Sequence, residues 1–229
     1  MFGKLHWYIA KKKRRRNLPQ GFHSQFGQDA FIADLFGQKR GGVFLDIGAN
    51  DGVSFSNTLH LERALGWTGI AVEPHPDVFK KLQANRQCHL FNGCIGDQNG
   101  KLSFQAISGS ADELSTLSTV VNAGDEHHTA LLDRMMAQYG GQKKIVEVEC
   151  LTPASLLERF GIGPIDYLSL DTEGFEMQIL TAFDFDRFPV NVVDVENRKG
   201  TAVFNLMRSR GYKLLRCLGC DEVYIRDKK

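Results

Sequence analysis

Acidic side chains stand in this chain where short apolar runs stop. Val43-Phe44-Leu45 runs into Asp46, Gly69 to Val72 into Glu73, Ile165 to Leu170 into Asp171, and Val190 to Val195 into Glu196 and Asn197. Asp97 follows a further run from Cys88 to Cys94. A short apolar run bounded by turn residues reads as a buried strand, and in a parallel sheet ligands collect at the carboxyl ends of the strands. Core packing asks for no acid there. One such acid is commonly a helix cap or a solvent contact, but acids at successive strand ends describe convergent polar groups in a cleft.

The first of these ends continues as Asp46-Ile47-Gly48-Ala49-Asn50-Asp51-Gly52. Its glycines let backbone approach a ligand closely, and Glu73, roughly twenty residues further on, is placed to accept the hydrogens of two ribose hydroxyls. A dinucleotide site asks for G-x-G-x-x-G and an uncharged turn, so that pyrophosphate can rest on the helix N-terminus. Here the third glycine is missing, and Asp46 and Asp51 flank the phosphate position with negative charge. An ammonium and a sulfonium would be welcome in that field. S-adenosylmethionine carries both and no phosphate, and it is the expected cofactor; an NAD-dependent oxidoreductase is the alternative that shares the fold.

The elements that must position these residues follow from periodicity. A helix is expected after Ser24, with Phe26, Phe31, Leu35 and Phe36 at helical spacing, and strands over Val43–Asp46 and Gly69–Glu73 with a helix from Ser56 to Leu65 between them. Asp77–Asn85 reads as helix and Cys88–Cys94 as a third strand. Leu102–Ile107 alternates like an antiparallel strand that Ile145–Val148 could pair. Thr152 opens a helix through Phe160 with Pro153 in its first turn. Ile165–Leu170, a helix over Glu173–Phe183, Val190–Val195, a helix over Thr201–Arg210 and a hairpin of Tyr212–Leu218 with Glu222–Ile225 complete the chain. The reading is an α/β fold: a Rossmann-like, doubly wound, mostly parallel sheet with an antiparallel C-terminal hairpin. Residues 24–229 form the catalytic domain, and within it the polar segment 108–144 is expected to be an insertion or lid.

Composition bounds the class. The 229 residues, 42% hydrophobic and 24% charged, suit one globular domain. The net charge of +1 hides an asymmetry, because residues 1–20 hold seven basic residues and no acid. Removing them leaves 21 basic against 27 acidic residues, a body of charge −6 and a poor wrapper of nucleic acid. Residues 1–23 form a basic arm, in which Trp7 and Tyr8 precede Lys11 to Arg16. Two readings stand: a solvated arm, or peripheral contact with an anionic membrane surface. A non-enzymatic membrane-associated adaptor is accordingly the third function class. Five cysteines without a secretory signal read as reduced thiols in a cytoplasmic protein. Cys217 and Cys220 have C-x-x-C spacing with no second pair nearby; a structural role is weighed against metal or redox work. His127-His128 reads as part of a solvated loop, with a lid base as the alternative, and His75 either touches adenosine or ends a turn.

Three motifs in order carry a resemblance. FLDIGANDG with Ser56-Asn57-Thr58, then AVEPHP, then IDYLSLDTEGFEMQIL resemble the FkbM-type class I methyltransferases, from about Ser24 to Asn197. The resemblance implies a Rossmann-like methyltransferase using S-adenosylmethionine, commonly on an oxygen of a sugar or natural product. Carried over, Asp46, Gly48, Asn50 and Gly52 would line the methionine portion, Glu73 the ribose and Asp97 the adenine amino group. Gln28 and Asn57 are further cofactor contacts or, alternatively, helix-end hydrogen bonds. A sugar hydroxyl is a poor nucleophile at neutral pH, so a base or a metal must help. Asp171, Glu196 and Asn197 offer three oxygen ligands for Mg²⁺ or Mn²⁺; alternatively the carboxylates serve alone as base and anchor. Glu173 is either a site residue of the DTEGFE motif or an acid favoured by a helix dipole in its first turn. The acceptor is expected to be a small molecule or a glycan.

Overall fold

Turn chemistry sets the limits of the helices. The helices of the computed structural model are α1 (Gln28–Leu35), α2 (Leu59–Leu65), α3 (Pro76–Asn85), α4 (Glu126–Tyr139), α5 (Pro153–Phe160), α6 (Glu176–Ala182) and α7 (Thr201–Ser209). It describes residues 20–109, 112–124, 126–197 and 200–227; all but the last four residues of the basic arm lie outside these. α2 and α5 stop on Gly66 and Gly161, while α3 and α5 open on prolines, a position where no backbone N–H is needed. Thr152 caps α5, its hydroxyl accepting from Ser155 N at 3.2 Å. No helix among the described residues is long and apolar enough to cross a membrane.

Strands β1 (Val43–Ile47), β2 (Thr68–Val72), β3 (His89–Phe91), β8 (Ile165–Leu170) and β9 (Val190–Glu196) run parallel. Beyond β9 come β10 (Tyr212–Leu218) and β11 (Asp221–Arg226), an antiparallel hairpin whose second strand pairs antiparallel with β9. The order is β10-β11-β9-β8-β1-β2-β3. It reverses direction at β1 and β8, and that reversal places the crevice between their carboxyl ends. The expected Rossmann-like sheet with its hairpin is therefore what the chain forms. Leu45, Ile70, Leu168 and Val193 fill one face with α5 to α7, and Phe44, Tyr167, Val192 and Ile32 fill the other under α1 and α2.

A second sheet departs from the expected layout. The run Cys88–Cys94 is not one strand: β3 ends at Phe91, and after Asn92-Gly93 the chain enters β4 (Cys94–Ile95) of a four-stranded sheet. With β5 (Gly100–Ser108), β6 (Thr119–Val120) and β7 (Gln142–Leu151), its order is β4-β7-β5-β6. A Cβ at Gly93 would lie 2.5 Å from Glu149 O, so the crossing strands leave no room for a side chain at the switch. The pairing of β5 with β7 is antiparallel, with Phe104 opposite Val146, as the alternation implied. Segment 108–144 holds a 3-10 turn (Asp112–Leu117), β6 and α4, around Ile107, Leu114, Leu117 and Leu132. His128 is not in a solvated loop: it is buried, with Nε2 2.9 Å from Leu117 O. His75 caps α3, its Nδ1 accepting from Asp77 N, so Nε2 carries the proton and donates to Ile107 O on β5 at 3.1 Å. It ends the turn and ties the two sheets together.

Candidate active site

Between the strand ends of the large sheet and the face of the small one lies a cavity. Asp46, Gly48, Asn50, Asn57 and Glu73 line its first half, and Asp171, Glu173 and Glu196 its second. Phe104, Ser115, Thr116, Ser118 and Val120 of the small sheet and its turn close the opposite side. Five carboxylates line this space, and among the described lining residues there is no Lys, Arg or His.

Gly48 is where the first half is built. Its φ of 92° and the position of a notional Cβ, 1.8 Å from Asp171 O, both demand glycine. Gly48 N donates to Val72 O and Asp171 N to Ile47 O, each at 3.0 Å, so three strand ends are laced together. Glu73 then receives Asn50 N on Oε2 at 3.0 Å and His75 N on Oε1 at 2.8 Å. Each oxygen keeps a lone pair for a ligand hydroxyl. Burial pushes this carboxyl up to a pKa of about 7, against the two N–H donors that lower it.

Asp46 is buried, and burial raises its pKa, opposed by the positive charge of Arg86. Thr58 Oγ1 donates to its Oδ2 at 2.5 Å, and Ser169 also bonds it. Arg86 was not foreseen from sequence. Its side chain is fully buried: Nε meets Glu62 at 2.7 Å, Nη2 donates to Thr58 Oγ1 at 2.8 Å, and Nη1 lies 3.9 Å from Asp46. A guanidinium after a helix looks like a solvated charge in sequence, and only the fold brings its partners round it.

The second half is held by Glu176. Its Oε1 accepts from Thr172 N, Thr172 Oγ1 and Gly174 N at 3.0, 2.9 and 2.9 Å. These bonds keep residues 172–175 out of the helix, so α6 begins at Glu176 instead of Glu173. Glu173 is consequently in the loop, at φ 54°, and the helix-dipole account of it does not apply. Thr119 Oγ1 of β6 donates to Glu173 O at 3.1 Å. Ligand atoms of Asp171, Glu173 and Glu196 lie within 4.8 Å of one another.

Four expected site residues are not in the lining, and each has a physical reason. Gln28 is buried, accepting from Phe26 N at 2.7 Å and donating to Asp221 Oδ2; Gln25, three residues earlier, lines the cavity instead. Gly52 packs on Arg86, whose Cγ would lie 2.6 Å from an added Cβ. Asp97 is exposed beyond β4, because the chain turns into the small sheet before reaching it. Asn197 donates through Nδ2 to Gly200 O at 2.8 Å ahead of α7, while the carboxylates of Asp171, Glu173 and Glu196 gather at the strand ends. Asp51 likewise folds onto its own turn, accepting from Val53 N and Ser54 N.

Sequence reasoning also passed over a row on one sheet face. Asp46, Ser169 and Asp194 are register partners on β1, β8 and β9. Asp194 is buried, takes Tyr167 OH on Oδ2 at 2.8 Å, and has no partner for Oδ1 among the described residues. Burial first, and Asp221 second, hold its carboxyl well above the usual range. The cysteines are free; Cys220 Sγ lies 3.3 Å from Glu196 Oε1 and 3.4 Å from Asp221 Oδ1, and burial beside these acids raises the thiol.

A parallel sheet that reverses at β1 and β8, with an acid-lined crevice at the reversal, defines a Rossmann-like fold with its ligand space at the switch point. The chain belongs to the methyltransferase FkbM domain family, whose model matches residues 46–214. No curated protein sequence matches it significantly. Among solved structures it is similar to a methyltransferase from Pyrococcus furiosus at 12% identity and TM-score 0.44, with all of both chains covered. It is also similar to an N-terminally truncated METTL16 methyltransferase domain at 10% identity and TM-score 0.43, covering 97% of this chain and 94% of the other. Similarity of that order carries no argument about the site. The family places the chain with the methyltransferases and apart from the dinucleotide oxidoreductase alternative.

Proposed function

We propose that the protein transfers a methyl group from S-adenosylmethionine to a hydroxyl oxygen of a sugar, glycan or related hydroxylated small molecule. The observation that carries this reading is a cavity lined, among the described residues, by five carboxylates and no basic side chain. A pyrophosphate would be repelled there, whereas an ammonium and a sulfonium gain from every carboxylate. The residues present suit such a donor: Glu73 retains acceptor capacity for ribose hydroxyls, and Gly48 leaves backbone open where any side chain would intrude. Bound, S-adenosylmethionine supplies a methyl group already activated by its sulfonium.

This chain's task is then to aim an oxygen and take its proton. Asp171, exposed at the cavity mouth directly after β8, is the base in this reading. Glu173 and Glu196 hold the acceptor's other hydroxyls, and the serine and threonine hydroxyls of residues 115–118 offer further hydrogen bonds to a polyol. The all-oxygen set of Asp171, Glu173 and Glu196 also suits Mg²⁺ or Mn²⁺. A cation there would lower the acceptor hydroxyl's pKa.

Calorimetry with S-adenosylhomocysteine tests the donor: binding to the wild type is expected, and its absence would sink the reading. Asp171→Ala should bind within about twofold of wild type while turnover with the acceptor falls on the order of 10²- to 10⁴-fold. A chelator titration separates the two forms of acceptor activation. Loss of activity restored by Mg²⁺ or Mn²⁺ assigns the metal, and full activity in chelator leaves the carboxylates acting alone.

A further inference from the structure

Asn57 lines the cavity, and the orientation of its amide can be read from the hydrogens around it. Arg86 Nη2 donates to Thr58 Oγ1 at 2.8 Å, which leaves the Thr58 hydrogen to Asp46 Oδ2 at 2.5 Å. Ser169 also bonds Asp46 in a contact that favours the ionised carboxylate, as a donated hydrogen does, so the Ser169 hydrogen is spent on it. Ser169 Oγ is left as an acceptor. Asn57 Nδ2 donates to it at 3.1 Å, so the amide is fixed with its NH₂ toward the sheet. Asn57 Oδ1 is buried and has no hydrogen-bond partner among the described residues. A buried acceptor left unpaired is costly, and a ligand donor relieves that cost.

We propose that Asn57 Oδ1 accepts a hydrogen bond from the α-ammonium of the donor's methionine end, and that Ser169 is the positioning residue that holds the amide for it. The proposal rests on the reading of the cavity as an S-adenosylmethionine site. Glu73 lies at the end of β2, on the ribose side, whereas Asn57 shares the β1 side with Gly48 and Asp46 and bonds Ser169 on β8. Of the groups the ligand could present, the ammonium is the cationic donor, and it enters a lining that holds no competing basic side chain among the described residues.

The test compares dissociation constants for S-adenosylhomocysteine and for 5′-methylthioadenosine, which keeps the adenosine and thioether but lacks the amino-acid portion. Asn57→Leu should weaken S-adenosylhomocysteine roughly 10- to 100-fold, the worth of a hydrogen bond to a charged group, and leave 5′-methylthioadenosine unchanged. Asn57→Asp should retain S-adenosylhomocysteine affinity, and Ser169→Ala should give a smaller loss confined to the same ligand, because the freed amide can rotate. Unchanged 5′-methylthioadenosine binding reports that each variant is folded; should Asn57→Leu fail to fold, Asn57→Asp and Ser169→Ala decide by the same comparison. Equal losses for both ligands, or no loss for either, would overturn the inference alone. A wild type that binds neither ligand would overturn the donor assignment and this inference with it.

Discussion

Glu73 shows how one side chain ties pH to ligand and fold together. On the proposed reading its ionised form is the one that would accept ribose hydroxyls, and burial puts its pKa at about 7. S-adenosylhomocysteine affinity is therefore expected to be level above that pH and to weaken as pH falls through it, by up to about tenfold per unit. Calorimetry from pH 5.5 to 8.5 checks this, and Glu73→Gln should flatten the profile. The stability effect has the opposite sense. The folded carboxyl holds its proton to higher pH than an unfolded one at 4.5, so stability from this group is full below that value. It is lost as pH rises to about 7, costing about 3 kcal/mol. Arg86 makes the complementary case. Arg86→Met would strand buried Asp46 and half-buried Glu62 without their guanidinium, and urea melts should show a loss of about 3–5 kcal/mol. The acids at strand ends were legible because residue type and spacing are local signals. Arg86, Ser169 and Asp194 were not, because their roles depend on partners from other strands and helices.

At the level of elements, β1, β2, β8 and β9 were legible from mostly apolar runs, and the helix stops from Gly66 and Gly161. The break between β3 and β4 was hidden because Cys88–Cys94 is apolar on both sides of Asn92-Gly93, and composition does not say which sheet a strand will join. The start of α6 was misplaced for a similar reason: Glu173 to Glu176 has helical composition, but the Glu176 side chain competes for the backbone N–H groups. The lacing of strand ends at Gly48 makes a sharp prediction. Gly48→Ala forces a methyl group against Asp171 O at an unfavourable φ, and should cost roughly 3 kcal/mol or more of stability. Thermal melts would show it, together with loss of S-adenosylhomocysteine binding.

The molecule as a whole encloses its cavity between two sheets, the smaller of which showed in the sequence only through the alternation of β5 and β7. Ligand binding there should stabilise the fold by linkage. S-adenosylhomocysteine at 100 times its dissociation constant adds about 2.7 kcal/mol, a rise in Tm of roughly 5–10 °C for a domain of this size. NAD at the same concentration should give none, because the described lining sets five carboxylates and no basic side chain against its pyrophosphate. The small sheet also does more than roof the site. Thr119 of β6 is bonded to the Glu173 carbonyl, and Gly174 has no space for a Cβ against Ala123 O. Variation in the roof therefore cannot be grafted from one family member to another as an independent cassette. A chimera that exchanges 108–124 should change acceptor preference only when 171–176 travels with it; moved alone, the foreign roof would drag the loop that carries the proposed base out of register.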